Sequence, residues 1–93
     1  MKILARVGTP HHQEEKTYTR PGEAKRHLGK RLNTHNEWAL RYNHDLARKL
    51  AAINEEIQSV DVVTLDIGEV RHWEATDSHT GVRFVFELEK RQT

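Results

Sequence analysis

Between Arg20 and Arg31, five cations (Arg20, Lys25, Arg26, Lys30 and Arg31) stand against one acid, Glu23, with His27 among them. On a helix, spacings of four or five residues carry side chains from one turn to the next, so this set can rest on phosphates or on a partner's carboxylates. Each phosphate contact would release counterions and make binding weaken with salt. The competing reading is a short amphipathic helix that keeps its lysines and arginines in water. No zinc-finger, basic-zipper or RNA-recognition signature accompanies the cluster. The candidate partner-contact residues are therefore Arg20, Lys25, Arg26, His27, Lys30 and Arg31.

A second grouping, His72, Glu74, Arg83 and Glu87, contains the parts for general acid–base chemistry. The same residues also describe the wet face of a sheet, and no nucleophile motif or glycine-rich phosphate loop joins them. The chain is expected not to be an enzyme. Its seven histidines include no pair at i,i+4 and no HExxH, and cysteine is absent, so neither metal nor cofactor is expected.

The totals bound what these groups can belong to. A chain of 93 residues makes one domain, spanning 1–93. With 35% hydrophobic and 31% charged residues, it should have a small core and a heavily charged surface. No run approaches the roughly 18 apolar residues that cross a bilayer, and Met1–Arg6 is too short for a secretory leader, so the cytoplasm is the simplest location. The lack of cysteine fits a reducing compartment. A net charge of +1 does not by itself make a nucleic-acid binder; the polarised distribution is the hint.

The elements that must position these groups follow from periodicity. Ile3, Ala5 and Val7 alternate as a short strand, ended by Gly8-Thr9-Pro10, that would cover a sheet edge. Residues 8–18 read as a loop. Thr19 or Arg20 caps a first helix with Pro21 in its first turn; Ala24, Leu28 and Leu32 form a narrow apolar stripe. Gly29 weakens that helix by about 1 kcal/mol relative to Ala. Thr34-His35-Asn36-Glu37 fits a capping box and predicts a second helix running to Ser59, with Trp38, Tyr42, Leu46, Leu50, Ile53 and Ile57 on its buried face. Trp38 and Tyr42 read as core, with exposed interface anchors as the alternative. The two helices joined near Gly29–Asn33 are only superficially a helix-turn-helix.

Val63, Leu65 and Ile67, then Trp73 and Ala75, then Val82, Phe84, Phe86 and Leu88 alternate with polar residues. They predict a three-stranded antiparallel meander in which Trp73 faces Phe86, Ala75 faces Phe84 and His72 faces Glu87, while Leu65 faces Trp73. The expected fold is α+β: two helices followed by the meander, with the N-terminal strand at an edge.

Residues 16–29 contain Tyr18 and the run Gly22-Glu23-Ala24-Lys25-Arg26-His27-Leu28, a Tyr…Gly-x-Ala-Lys-x-x-Leu pattern. This segment resembles one found in small accessory proteins of bacteriophages and mobile elements. The resemblance implies a compact protein that acts by binding a host or phage macromolecule, and it carries over no catalytic residue. The leading expectation is a non-enzymatic binding module whose basic first helix meets nucleic acid or an acidic protein surface. The alternative is a stoichiometric inhibitor or accessory subunit that binds a host protein, in anti-defence or host takeover. A second copy of the chain is a further candidate partner.

Overall fold

The computed structural model describes residues 1–9 and 12–92. Strands β1 (Lys2–Thr9) and β2 (His12–Tyr18) come first, then helices α1 (Pro21–Tyr42) and α2 (His44–Ser59). A 3₁₀ turn at Val62–Thr64 leads to β3 (Val70–Thr76) and β4 (Arg83–Arg91). The sheet is fully antiparallel with strand order β2-β1-β4-β3. The α+β class holds, but with four strands, and with two of them ahead of the helices.

One face of the sheet is dry. Ile3, Ala5 and Val7 from β1, and Phe84, Phe86 and Leu88 from β4, share it and are buried. The helices form an antiparallel pair over that face, α1 across β1 and β2 and α2 across β3. Ala24, Leu28 and Leu32 from α1, with Leu46, Leu50, Ile53 and Ile57 from α2, complete a single core cluster. Their spacing of three and four is the period that puts an apolar stripe on one side of a helix.

Three sequence expectations are corrected. The N-terminal strand is not at an edge: β1 lies between β2 and β4. The segment read as a loop, 8–18, is mostly strand, with Gly8 and Thr9 in β1 and His12–Tyr18 forming β2; Pro10 and His11 lie outside the described residues. The first strand of the meander does not exist. Val63 and Ile67 are exposed, and only Val62 and Leu65 enter the core. That segment is held to β4 by Lys90, whose Nζ donates to the carbonyls of Val63 and Leu65, both at 2.8 Å. The Gly68 amide also donates to the Lys90 carbonyl at 2.7 Å, in a turn where Gly68 takes a φ of +90°.

The helix boundary also moves. Thr34 caps nothing: it sits inside α1, and its hydroxyl donates to the Lys30 carbonyl one turn back at 3.0 Å. The chain bends instead at Asn43. Its amide donates to the Ala39 carbonyl at 2.6 Å, and its Oδ1 accepts from the Leu46 amide at 3.1 Å, capping α2. Its Nδ2 donates to Asp77 Oδ1 at 2.8 Å, tying the bend to the β3–β4 hairpin. Asn43 and Asp77 are both buried. A buried polar pair with its partners in place fixes one geometry of the bend, because any other would strand those groups away from water.

The hairpin itself is as read from the sequence. Trp73 lies opposite Phe86, Ala75 opposite Phe84 and His72 opposite Glu87. Asp77 and Gly81 close the turn, with the Gly81 amide donating to the Asp77 carbonyl at 2.8 Å.

Candidate nucleic-acid interface

α1 starts where its sequence says it should, with Arg20 at the cap position in an extended conformation and Pro21 beginning the helix. It runs for 22 residues, long enough to carry the whole basic cluster and both aromatics that follow it. The cluster, however, is divided by what surrounds the helix.

Three of its members are engaged inside the molecule. Lys25 Nζ donates to the carbonyls of Gln58 at 2.9 Å and Val60 at 2.8 Å, where α2 ends. A cation on the last carbonyls of a helix meets the negative end of its dipole and satisfies acceptors that have no intrahelical partner. Gln58 Nε2 donates back to the Lys25 carbonyl at 3.1 Å. Close approach of the helices here accounts for Gly29: a Cβ on it would stand 3.3 Å from Gln58 Nε2.

Arg31 makes a two-pronged contact with Glu14 of β2, through Nε at 3.1 Å and Nη2 at 2.8 Å. The Arg31 bond, helped by His12, holds the Glu14 carboxyl down at about 2 against the opposing effect of burial. Glu14 in turn holds the Arg31 guanidinium above its usual range. His27 is buried, with Nε2 against Glu14 Oε1 and its ring tilted against Tyr18 at a centroid distance of 5.8 Å. One acid on the strand thus absorbs two of the six candidates. The sequence alone does not show this, because 8–18 reads there as a loop.

Arg20, Arg26 and Lys30 are exposed, and among the described residues none of their side chains has a salt-bridge or hydrogen-bond partner. Arg26 and Lys30 border two hollows. One, of about 270 Å³, is lined with Tyr18, Glu23 and His27; the other, of about 380 Å³, lies between the helices beside Gly22, Asn33 and Asn54.

Trp38 and Tyr42, read from the sequence as core, are in fact 50% and 70% exposed, with ring centroids 5.4 Å apart. The bend comes after them rather than before, so they sit in the last turns of α1. Leu40, 58% exposed, lines a different hollow with Asn36, His44 and Ala47, while Trp38 and Tyr42 form an exposed aromatic pair beside the bend. They share a hollow of about 370 Å³ with Thr34, Glu37 and Arg41.

The His72 grouping lies on the other side of the sheet, the face without helices. His72 Nδ1 meets Glu87 Oε2 at 2.8 Å, and Nε2 meets Glu74 Oε2 at 3.2 Å, while Arg83 pairs with Glu74. Glu87 first and Glu74 second raise the His72 pKa; Arg83 first and His72 second hold Glu74 at about 2. On the next strand Arg6 bridges Glu15 at 3.0 Å and Glu89 at 2.9 Å, and lies 3.7 Å from Glu87. This is a ladder of mutually paired charges. Both ring nitrogens of His72 meet carboxylates. Among the described residues, no group of three or more His, Cys, Asp or Glu is arranged to hold a metal ion. No described helix is long and apolar enough to cross a membrane.

Comparison of the chain with family models, curated proteins and solved structures found no match.

Proposed function

We propose that the protein is a non-enzymatic, cytoplasmic binding module, of the accessory or regulatory kind, that contacts nucleic acid through the outward side of α1. The observation that carries this reading is the trio Arg20, Arg26 and Lys30. Among the described residues these cations have no side-chain partner, while nearly every charge on the open sheet face has an internal partner. Unpaired cations, Arg26 and Lys30 one turn apart on α1 and Arg20 at its start, attract a polyanion at no cost in broken internal contacts. Lys25, His27 and Arg31 support the helix in this scheme and do not touch the ligand.

The test is fluorescence anisotropy of labelled DNA across a salt series. Binding at low salt that weakens steadily as salt rises, and is lost in Arg26→Glu/Lys30→Glu, agrees with the reading. No binding at low salt, or binding indifferent to the double reversal, contradicts it.

A second reading, a stoichiometric inhibitor or accessory subunit bound to a host protein, is favoured by the exposed pair Trp38 and Tyr42. Exposed aromatics beside an arginine are the side chains that dominate protein interfaces. Capture of one protein partner that survives nuclease treatment and is lost in Trp38→Ala would support it.

A further inference from the structure

The unpaired cations and the exposed aromatics are not two separate surfaces. Arg26, Lys30, Thr34, Trp38 and Tyr42 recur at every fourth residue, and all five are exposed. Residues at i, i+4 and i+8 form one inclined ridge that winds about 40° around the helix at each step. This one is about 24 Å long at 1.5 Å per residue. The neighbouring series behaves differently. His27, Arg31, His35 and Ala39 turn inward, with His27 and Arg31 on Glu14, His35 against Phe84 at 5.1 Å and Ala39 buried.

From this ridge we infer that the nucleic acid bound is single-stranded, with its phosphates on Arg26 and Lys30 and its unpaired bases stacked on Trp38 and Tyr42. The inference rests on the nucleic-acid reading above and adds the strandedness. A positively charged track that leads into flat aromatic faces is how proteins hold single strands, because every base has a face to stack and duplex bases do not offer theirs. The chemistry is ordered along the helix: cations at one end, the Thr34 hydroxyl midway, aromatics at the other with Arg41 beside them. Charge complementarity favours a polyanion over an apolar protein segment, since the aromatic end is continuous with the free cations. Glu23 and Glu37 border the ridge and would repel phosphates; they lie beside the series, not in it.

The chain has two tryptophans, so Trp73→Phe leaves Trp38 as the only indole reporter. In that background, titrate at low salt with a twelve-nucleotide thymidine oligomer and, separately, with a hairpin duplex of twelve base pairs. Expected are quenching of Trp38 emission by the oligomer, at least tenfold tighter binding of oligomer than of duplex, and, read by anisotropy of labelled oligomer, a loss of roughly tenfold in oligomer affinity for Trp38→Ala or Tyr42→Ala. Trp38→Phe should keep most of the affinity. Equal binding of both ligands with no quenching, still abolished by Arg26→Glu/Lys30→Glu, overturns the single-strand inference and leaves the broader reading standing. No binding of either ligand overturns both.

Discussion

The open face of the sheet and the outward side of α1 are both rich in charge, yet they differ in where that charge goes. On the sheet, Arg6, His72, Arg83 and Arg91 each meet one or more of Glu15, Glu74, Glu87 and Glu89. That face neutralises itself. On α1, Arg26 and Lys30 face solvent with no partner among the described residues, and their row continues into Trp38 and Tyr42. Counting charges would rank the two surfaces alike; pairing separates them. A surface whose cations already hold carboxylates must break those contacts before it binds a polyanion, whereas the helix ridge need only shed loosely held water and ions.

The strongest attempt to break this contrast is the double reversal Arg26→Glu/Lys30→Glu. It should abolish measurable binding at moderate salt and lower the slope of log affinity against log salt by roughly 1.4, at about 0.7 per contact to a single strand. Thermal stability should stay within about 0.5 kcal/mol of the parent, because both side chains are exposed. A large stability loss would mean that these residues hold the fold after all.

Next in size is Asn43→Ala. Removing the cap of α2 should cost about 0.5–2 kcal/mol in urea denaturation. It also leaves Asp77 without the amide that meets it from the bend. An unchanged midpoint would show that the bend is not fixed by this pair.

Glu14 sharpens the contrast from the inside. Its carboxyl titrates lower in the folded chain than in the unfolded one, whose value is near 4.5, so its contribution is complete above that pH. The unfolded state binds the proton first, and the contribution is lost as pH falls from 4.5 through about 2. In Glu14→Gln that part of the acid loss should vanish from a plot of urea midpoint against pH. The same change frees Arg31, so affinity for a polyanion should rise. A fall in affinity would place Glu14 or β2 in the contact surface.

The smallest effect is expected from His72→Ala on the sheet. Exposed pairs are worth about 1 kcal/mol or less. Because the fold raises the His72 pKa, its contribution is present in full below about 6.5 and disappears as pH rises through the raised value. The mutant should therefore lose a little stability at pH 6, less at pH 8, and no affinity at either. Weakened binding would move the interface to the sheet.

The sequence was most informative where periodicity and turn chemistry agreed. The β3–β4 register could be read because Trp73 and Ala75 alternate toward Phe86 and Phe84 across a turn closed by Asp77 and Gly81. β2 carried no such signal. Its sequence, HQEEKTY, is polar on both faces apart from Tyr18, because Glu14 on the side toward α1 meets Arg31 and His27 rather than apolar core. Without β2 there was no way to see that Glu14 would occupy two of the six candidates, Arg31 and His27. The Val63–Ile67 alternation misled because three positions are too few to tell a strand from a loop that buries only one or two residues, here Val62 and Leu65. The capping box at Thr34 is a local pattern overruled by a distant one, since the residue that bends the chain is fixed by Asp77, 34 positions away. That misplaced cap cut the 26-30-34-38-42 series in two, so a regular spacing visible in the sequence was not recognised as one surface.

Amide and indole chemical-shift mapping on addition of the thymidine oligomer tests the central claim most directly. The account predicts shifts at Arg26, Lys30, Thr34 and Tyr42 and at the Trp38 indole N–H, with His72, Glu74 and Arg83 unmoved. Shifts confined to the open sheet face, or none anywhere at low salt, would contradict it.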